Sequence, residues 1–386
     1  MMKAQGRQTR LPRRPWREIF SLSRLLGGKN HATAQAVQAD SDEAPPSEIV
    51  VDGAPTFALA QHLSFTEGYP IPDWGAVQTW VSALESNELQ GRAWTAVERA
   101  WLLHMREPLG KGFRLSQTNN ALLLSSLQSN VAHATLDYME RTLQRVVKLL
   151  DGVAQIPPMG KDLLLVFDDD ESYYRYVSCY YPDAGEFAFS GGMHINAGCS
   201  HYVTVKNDLR VIEPIIAHEM THGCVGHLPL PAWLNEGLAV NIEHQLAGAR
   251  STHTPQQIRS KHLAFWGEEE MQEFWSGKSF LRTDDANLLS YDLARLIVQQ
   301  MAKNWELFKR FVLAANHLDA GAAAARDHLG VDLGEFVCAL LEREQPSAWA
   351  PNPSMWDMRQ SEASSRDSQL FDYVSSPITR GHEGQV

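Results

Sequence analysis

Apolar residues recur every three or four positions along much of the chain, which is the spacing expected of amphipathic helices. From about Trp74 to Met105 this pattern is interrupted once, near Asn87–Gly91, so it predicts two helices. From about Asn120 to Leu150 the apolar side chains fall on one side of a single long helix. Further helices are predicted in the second half of the chain, at about residues 211–223, 232–246, 255–265, 286–302, 304–315, 319–329 and 332–343.

Strands are predicted where apolar residues form short uninterrupted runs or alternate with polar ones. Four such segments occur, at about residues 113–117, 161–167, 187–196 and 201–206. The second ends in an acidic run, Asp168-Asp-Asp-Glu171, which lacks the alternating ligands and the glycine of a calcium-binding loop. We therefore predict that an aspartate there caps a helix over about residues 172–181. The whole pattern predicts an α+β fold, with a small mixed sheet packed on long helices and an all-helical C-terminal half.

The charge distribution shows a basic N-terminus on an acidic chain. The 386 residues include 34 basic and 46 acidic side chains, a formal net charge of −12. Residues 1–30 carry eight basic residues and one acidic residue, so the remainder is strongly acidic. An acidic body argues against general nucleic-acid binding, because such binding depends on neutralising phosphates. The apolar residues at 16–26 are interrupted by polar ones, so this segment does not match an export signal.

Two interpretations of the basic segment stay open, a disordered tail and a weak contact with a membrane surface or a partner. No apolar stretch reaches the roughly 18 residues that a transmembrane helix needs. The four cysteines are too few and too scattered for a disulfide framework or a thiolate zinc cluster. We therefore expect a reduced, cytoplasmic protein, and the sequence predicts no oligomeric state.

The candidate chemistry lies in the helix predicted over residues 211–223, which contains His218-Glu-Met-Thr-His222. At about 100° per residue, His222 lies about 40° round the helix from His218, so both imidazoles leave one face a turn apart. This spacing allows two nitrogens to reach one zinc ion at about 2.0–2.1 Å. Glu219 falls in the same sector, where its carboxylate can reach a metal-bound water without binding the metal.

A third zinc ligand is available 14 residues after His222, in the segment Trp233-Leu-Asn-Glu236-Gly. Glycines and prolines between them end one helix and start the next, so the two helices are close neighbours. Glu236 can therefore face the histidine pair. Glu243 follows seven residues later on almost the same face. It either orients a ligand imidazole or remains a solvated helical carboxylate, and both interpretations stay open.

At these residues the chain resembles the gluzincin metallopeptidases, which share a thermolysin-like catalytic domain, and most closely the peptidase-MA-like group of bacterial proteins. The resemblance covers roughly residues 110–345. It rests on two motifs, His218-Glu-Met-Thr-His222 and Trp233-Leu-Asn-Glu236-Gly. It implies that His218, His222 and Glu236 bind one zinc ion per chain and that Glu219 is the general base. The third ligand lies a few residues closer than in better-known members, so the connection between the two helices is short.

The resemblance also implies a donor to the developing oxyanion from a later helix, where Tyr291 is the candidate. A buried helical tyrosine is the competing interpretation, and His194 and His201 are weaker candidates. Residues 191–196 resemble a glycine-rich strand of gluzincin aminopeptidases. His194 stands where that family places a glutamate, so no aminopeptidase specificity is predicted. An edge strand that pairs with an extended peptide and an ordinary hairpin both stay open.

The positions of the residues argue against two other catalytic classes. A metzincin needs glycine at position 225 and histidine at position 228, where this chain has Val225 and Leu228. His227, out of register by one, is then a loop histidine. Cys224 points about 240° round the helix from His218 and nothing in the sequence pairs it with a base, so it is not a predicted nucleophile.

These inferences lead to one preferred hypothesis, a zinc-dependent metallopeptidase that acts on a peptide or protein substrate. The alternative is a non-catalytic zinc- or peptide-binding regulatory protein on the same scaffold. The predicted organisation is a basic segment and disordered linker at 1–56, a helical region at 57–112, the gluzincin-like zinc catalytic domain at 113–250, a helical C-terminal domain at 251–344 and a disordered tail at 345–386.

Overall fold

A six-stranded mixed sheet forms the centre of the fold. The computed structural model describes residues 38–40, 43–180, 192–248, 253–343 and 349–356. The strands are β1 (Gln38–Asp40), β2 (Leu63–Thr66), β3 (Tyr69–Pro72), β4 (Arg114–Gln117), β5 (Ala121–Ser125), β6 (Asp162–Phe167), β7 (Gly192–Ala197) and β8 (Cys199–Val205). Six of them follow the order β1-β4-β5-β6-β8-β7, while β2 and β3 form a separate hairpin. Strands β5, β6 and β8 run parallel, and the outer strands pair antiparallel.

Twelve α-helices occur in the described parts of the chain, and eight of them follow β8. They are α1 (Trp74–Ser82), α2 (Asn87–Leu109), α3 (Ser129–Leu149), α4 (Asp170–Val177), α5 (Leu209–Val225), α6 (Ala232–Ala247), α7 (Pro255–Phe265), α8 (Glu268–Ser276), α9 (Asp285–Met301), α10 (Trp305–Ala314), α11 (Ala322–Leu329) and α12 (Leu333–Leu340).

Alternate side chains of the central strands enter two cores on opposite faces of the sheet. Leu122 and Leu124 of β5 pack with residues of α1, α2 and α4. Leu123, between them, packs with residues of α3, α5, α6 and the later helices. All six residues of β6 are buried, because both faces are covered. Helices α5 and α6 therefore belong to the second core.

The prediction of an α+β fold is confirmed in its coarse form, as a mixed α/β structure of many helices and small sheets. Helices α5 and α6 lie within two residues of their predicted bounds. The acidic run after β6 caps a helix as predicted, since the Asp169 side chain accepts a hydrogen bond of 2.7 Å from the Ser172 backbone N–H. Among the helices described, none combines the length and the apolar character needed to cross a bilayer.

The long helix predicted from about Asn120 to Leu150 is wrong in its first part. Residues 121–125 form β5, and α3 begins only at Ser129. All five side chains of β5 are buried, on alternating faces of the sheet. A helix would present this apolar run to one core only, so pairing with β6 overrides the helical preference of leucine.

The predicted linker and tail also need correction. Strand β1 lies inside the predicted linker and pairs with β4, and Ile49 is buried with a backbone pairing to Phe57. In the predicted tail, Trp349 is buried and its carbonyl accepts a hydrogen bond of 2.7 Å from the Trp275 indole N–H. The basic segment at 1–30, with its predicted membrane contact, and residues 187–191 of a predicted strand lie outside the described residues.

Candidate metal centre

Helices α5 and α6 bring the predicted ligands together. Asp208 caps the start of α5 by accepting a hydrogen bond of 2.8 Å from the Arg210 N–H. Only residues 226–231 separate the two helices, and Pro231 occupies the N-cap of α6. This short connection folds α6 back against α5, so that Glu236 faces the helix that carries the histidines.

Three ligand atoms converge between these helices. One ligand atom each from His218, His222 and Glu236 lies within 4.8 Å of the other two, and all three residues are buried. Oε2 of Glu236 lies 3.1 Å from Nε2 of His218 and 3.6 Å from Nε2 of His222. Ligands of a tetrahedral zinc ion at 2.0–2.1 Å stand about 3.3 Å apart. The triad can therefore hold a metal ion with little movement.

The other ring nitrogen of each histidine is held by a neighbouring side chain. Nδ1 of His218 lies 3.1 Å from Oε2 of Glu243, and Nδ1 of His222 lies 3.0 Å from Oδ1 of Asn235. Since both oxygens accept a hydrogen bond from Nδ1–H, the Nε2 atoms are directed to the common point. Of the two interpretations left open for Glu243, the structure shows that it orients His218. Asn235 was not predicted, although it directly precedes Glu236.

The electrostatics of the triad are unusual for buried histidines. Burial lowers the pKa of His218, but hydrogen bonds with Glu236 and Glu243 outweigh it and raise the pKa to about 10. Burial, followed by the charge of His218, lowers the pKa of His222 well below its usual value, and Asn235 opposes this only in part. The carboxylates thus favour a positive charge at His218, and a divalent cation bound at this point would supply positive charge in place of the proton. The donor set fits such an ion.

Glu219 and Tyr291 both lie beside the triad. Glu219 is buried on α5, and its negative charge contributes to the raised pKa of His218. Tyr291 of α9 is buried, with its ring centre 6.3 Å from that of His218. The edge-to-face packing of Phe280 on Tyr291, at 5.1 Å, fixes the plane of the phenol ring. The structure therefore brings Tyr291 to the centre from a helix far away in the sequence.

The two weaker histidine candidates occupy different places. The ring of His194, on β7, stacks on that of His222 with centres 6.4 Å apart. Burial, and then the nearby His201, lowers the pKa of His194 to about 3. His201 lies in the next strand, where Nε2 bonds the Tyr176 hydroxyl and Nδ1 the Cys199 carbonyl, each at 2.8 Å. With both nitrogens engaged, His201 does not serve the triad.

Strand β7 is both the first strand of a hairpin with β8 and an outer strand of the sheet among the residues described. The two interpretations of residues 192–196 are therefore compatible with each other. All four cysteines are free, and burial raises the pKa of the Cys224 thiol, as expected for a structural cysteine.

Comparisons with protein-family models, with curated proteins and with solved structures found no match to this chain. The functional argument therefore depends on the side chains themselves. Those side chains form one buried group, His218, His222 and Glu236, that can hold a metal ion, and it is the only such group found in the described part of the chain.

Proposed function

We propose that this protein is a zinc-dependent metallopeptidase of the gluzincin type. The observation that carries the proposal is the convergence of two imidazole nitrogens and one carboxylate oxygen, with the opposite nitrogen of each imidazole held by Asn235 or Glu243. Two nitrogens and one oxygen are the ligands that zinc takes in catalytic sites. Three protein ligands leave one position for water or substrate, whereas structural zinc sites use four.

The mechanism assigns each remaining side chain a task. Zinc, when bound, supplies a water of lowered pKa and polarises the substrate carbonyl. Glu219 would accept a proton from the water that attacks the peptide carbonyl and would then deliver it to the leaving amine. The Tyr291 hydroxyl donates a hydrogen bond to the oxygen that becomes negative. Glu243 and Asn235, by bonding the Nδ1 atoms, fix the orientation of the two histidine rings so that each Nε2 faces the common point.

Replacement of the general base tests this assignment. In Glu219→Gln the metal content is unchanged, and cleavage of a denatured protein such as casein falls by about 1,000-fold or more, because no other group takes the proton. Glu213→Gln is the matched control, since it makes the same change on the same helix at a partly exposed position. Cleavage and zinc content are measured on the same preparations.

Two outcomes would overturn the proposal. If Glu219→Gln cleaves as fast as the wild type, the residue is not the base. If the zinc-loaded wild type cleaves neither casein nor a random peptide library, the non-catalytic regulatory scaffold becomes the better account.

A further inference from the structure

Helices α6 and α9 approach each other more closely than side chains normally allow. The contact centres on Gly237, the residue after Glu236. A Cβ atom at that position would lie 2.7 Å from the carbonyl oxygen of Ala294 and 2.6 Å from Cγ2 of Val298. Only glycine permits this distance, so the ligand-bearing turn of α6 rests directly on the backbone of α9.

Asn241, one turn after Gly237, joins the same two helices with its amide. Nδ2 of Asn241 donates one hydrogen bond of 2.7 Å to the Gly237 carbonyl and another of 3.0 Å to the Arg295 carbonyl. Because both partners are carbonyl oxygens, which only accept, the atom facing them must be the amide nitrogen. The side chain therefore donates both of its N–H groups to backbone carbonyls, one in α6 and one in α9.

The carbonyl of Arg295 lies one helical turn after Tyr291 on α9. His218 is held close to α6, since its Nε2 lies 3.1 Å from Oε2 of Glu236. A shift of α9 along α6 therefore moves the phenol ring of Tyr291 relative to His218. The packing at Gly237 limits how closely the two helices approach. Packing alone does not fix the position of α9 along the axis of α6. A directional bond across the interface resists sliding, and Asn241 supplies it.

We propose that Asn241 is a positioning residue, which holds α9 in the register that places Tyr291 at the metal centre. This inference rests on the proposed peptidase function. Asn241 touches neither the triad nor Tyr291 in any described contact, so it acts only through the two helices. Its loss is expected to impair the chemical step and to leave metal binding intact.

The test is a double-mutant cycle between Asn241→Ser and Tyr291→Phe. Serine keeps a hydroxyl that can bond the Gly237 carbonyl within α6, but it is too short to reach Arg295. We expect Asn241→Ser to lower kcat for casein cleavage about tenfold, with KM and zinc content unchanged. In the Tyr291→Phe background the same change should cost less than about twofold, because the group it positions is already gone.

Gln245→Ser is the matched control, since it removes an exposed amide one turn further along α6. It should leave kcat unchanged in both backgrounds. If Asn241→Ser unfolds the protein, as judged by circular dichroism, then Asn241→Thr repeats the cycle with a larger side chain.

The outcomes separate the two proposals. A zinc-loaded wild type without turnover overturns the proposed function, and the role of Asn241 with it. An active wild type overturns the positioning role alone if Asn241→Ser is fully active, if it loses zinc together with activity, or if it costs as much in Tyr291→Phe as in the wild type.

Discussion

Two buried histidines of this protein each meet a carboxylate from a neighbouring helix, yet only one of them belongs to a candidate metal centre. His218 is 2% exposed and contacts Glu236 and Glu243. His262 of α7 is 3% exposed and contacts Asp292 of α9 at 3.0 Å. Burial and a carboxylate partner are therefore shared by both sites and do not distinguish them.

The difference lies in the second nitrogen and in the charge of the carboxylate. The Trp266 indole N–H, which can only donate, bonds Nδ1 of His262 at 2.8 Å, so Nε2–H must donate to Asp292. Burial alone would raise the pKa of Asp292. The hydrogen bond from His262 and the charge of Arg295 outweigh burial, so the pKa is lowered. Asp292 is thus already paired.

At the candidate metal centre the second nitrogen of each histidine has a different partner, an oxygen that accepts a hydrogen bond. The Nε2 atoms of two histidines and a carboxylate oxygen point at one another, because Asn235 and Glu243 hold the other nitrogens. The comparison teaches that two histidine nitrogens and a carboxylate oxygen converging on one point, rather than a single buried histidine beside an acid, indicate a candidate metal site.

The largest difference between the two sites is expected when the side chain that holds the second histidine nitrogen is replaced. Asn235→Leu keeps the size of the residue but leaves Nδ1 of His222 without its acceptor, so zinc affinity should fall about 10- to 100-fold. The matched change at the other site is Trp266→Phe, which removes the donor to His262 and should leave zinc affinity unchanged. Competition with a chromophoric chelator measures both. Equal affinities in the two variants would contradict the distinction.

A smaller effect is expected from pH. Since the pKa of His218 is raised to about 10, a metal ion must displace its proton at neutral pH. Zinc affinity should therefore increase with pH, by about tenfold per pH unit between pH 7 and 9, and binding should release about one proton. Calorimetry in buffers of different ionisation enthalpy counts that proton. His262→Gln should show the same slope, and a flat pH profile in the wild type would refute the protonation of His218.

The ligand set could be predicted because its determinants are local. His218 and His222 share one helical face because of their spacing alone. The short connection between α5 and α6 then places Glu236 opposite them. The role of Glu243 was left open, because helix geometry gives its face but not whether a histidine nitrogen or solvent lies there. Asn235 was missed for a similar reason, since its oxygen finds His222 only when the helices are packed.

Two of the three main errors in the fold have a tertiary origin, and the third comes from the shortness of a helix. The leucines of β5 have high helix propensity, and pairing with β4 on one side and β6 on the other makes them extended. Helix α8 was not predicted, because its nine residues give too short a window for a periodic pattern. Trp349 lies in a segment without periodicity and is buried through its contact with Trp275. For β5 and Trp349 a partner remote in sequence, β6 or Trp275, decides the structure.

The central claim is that His218, His222 and Glu236 hold one zinc ion. Elemental analysis of purified protein, supplied with equimolar zinc and then freed of excess, tests it directly with two carboxylate variants. We expect about one zinc per chain in the wild type and in Asp292→Asn, and less than about a tenth in Glu236→Ala. No zinc in the wild type, or as much zinc in Glu236→Ala as in the wild type, would contradict the account.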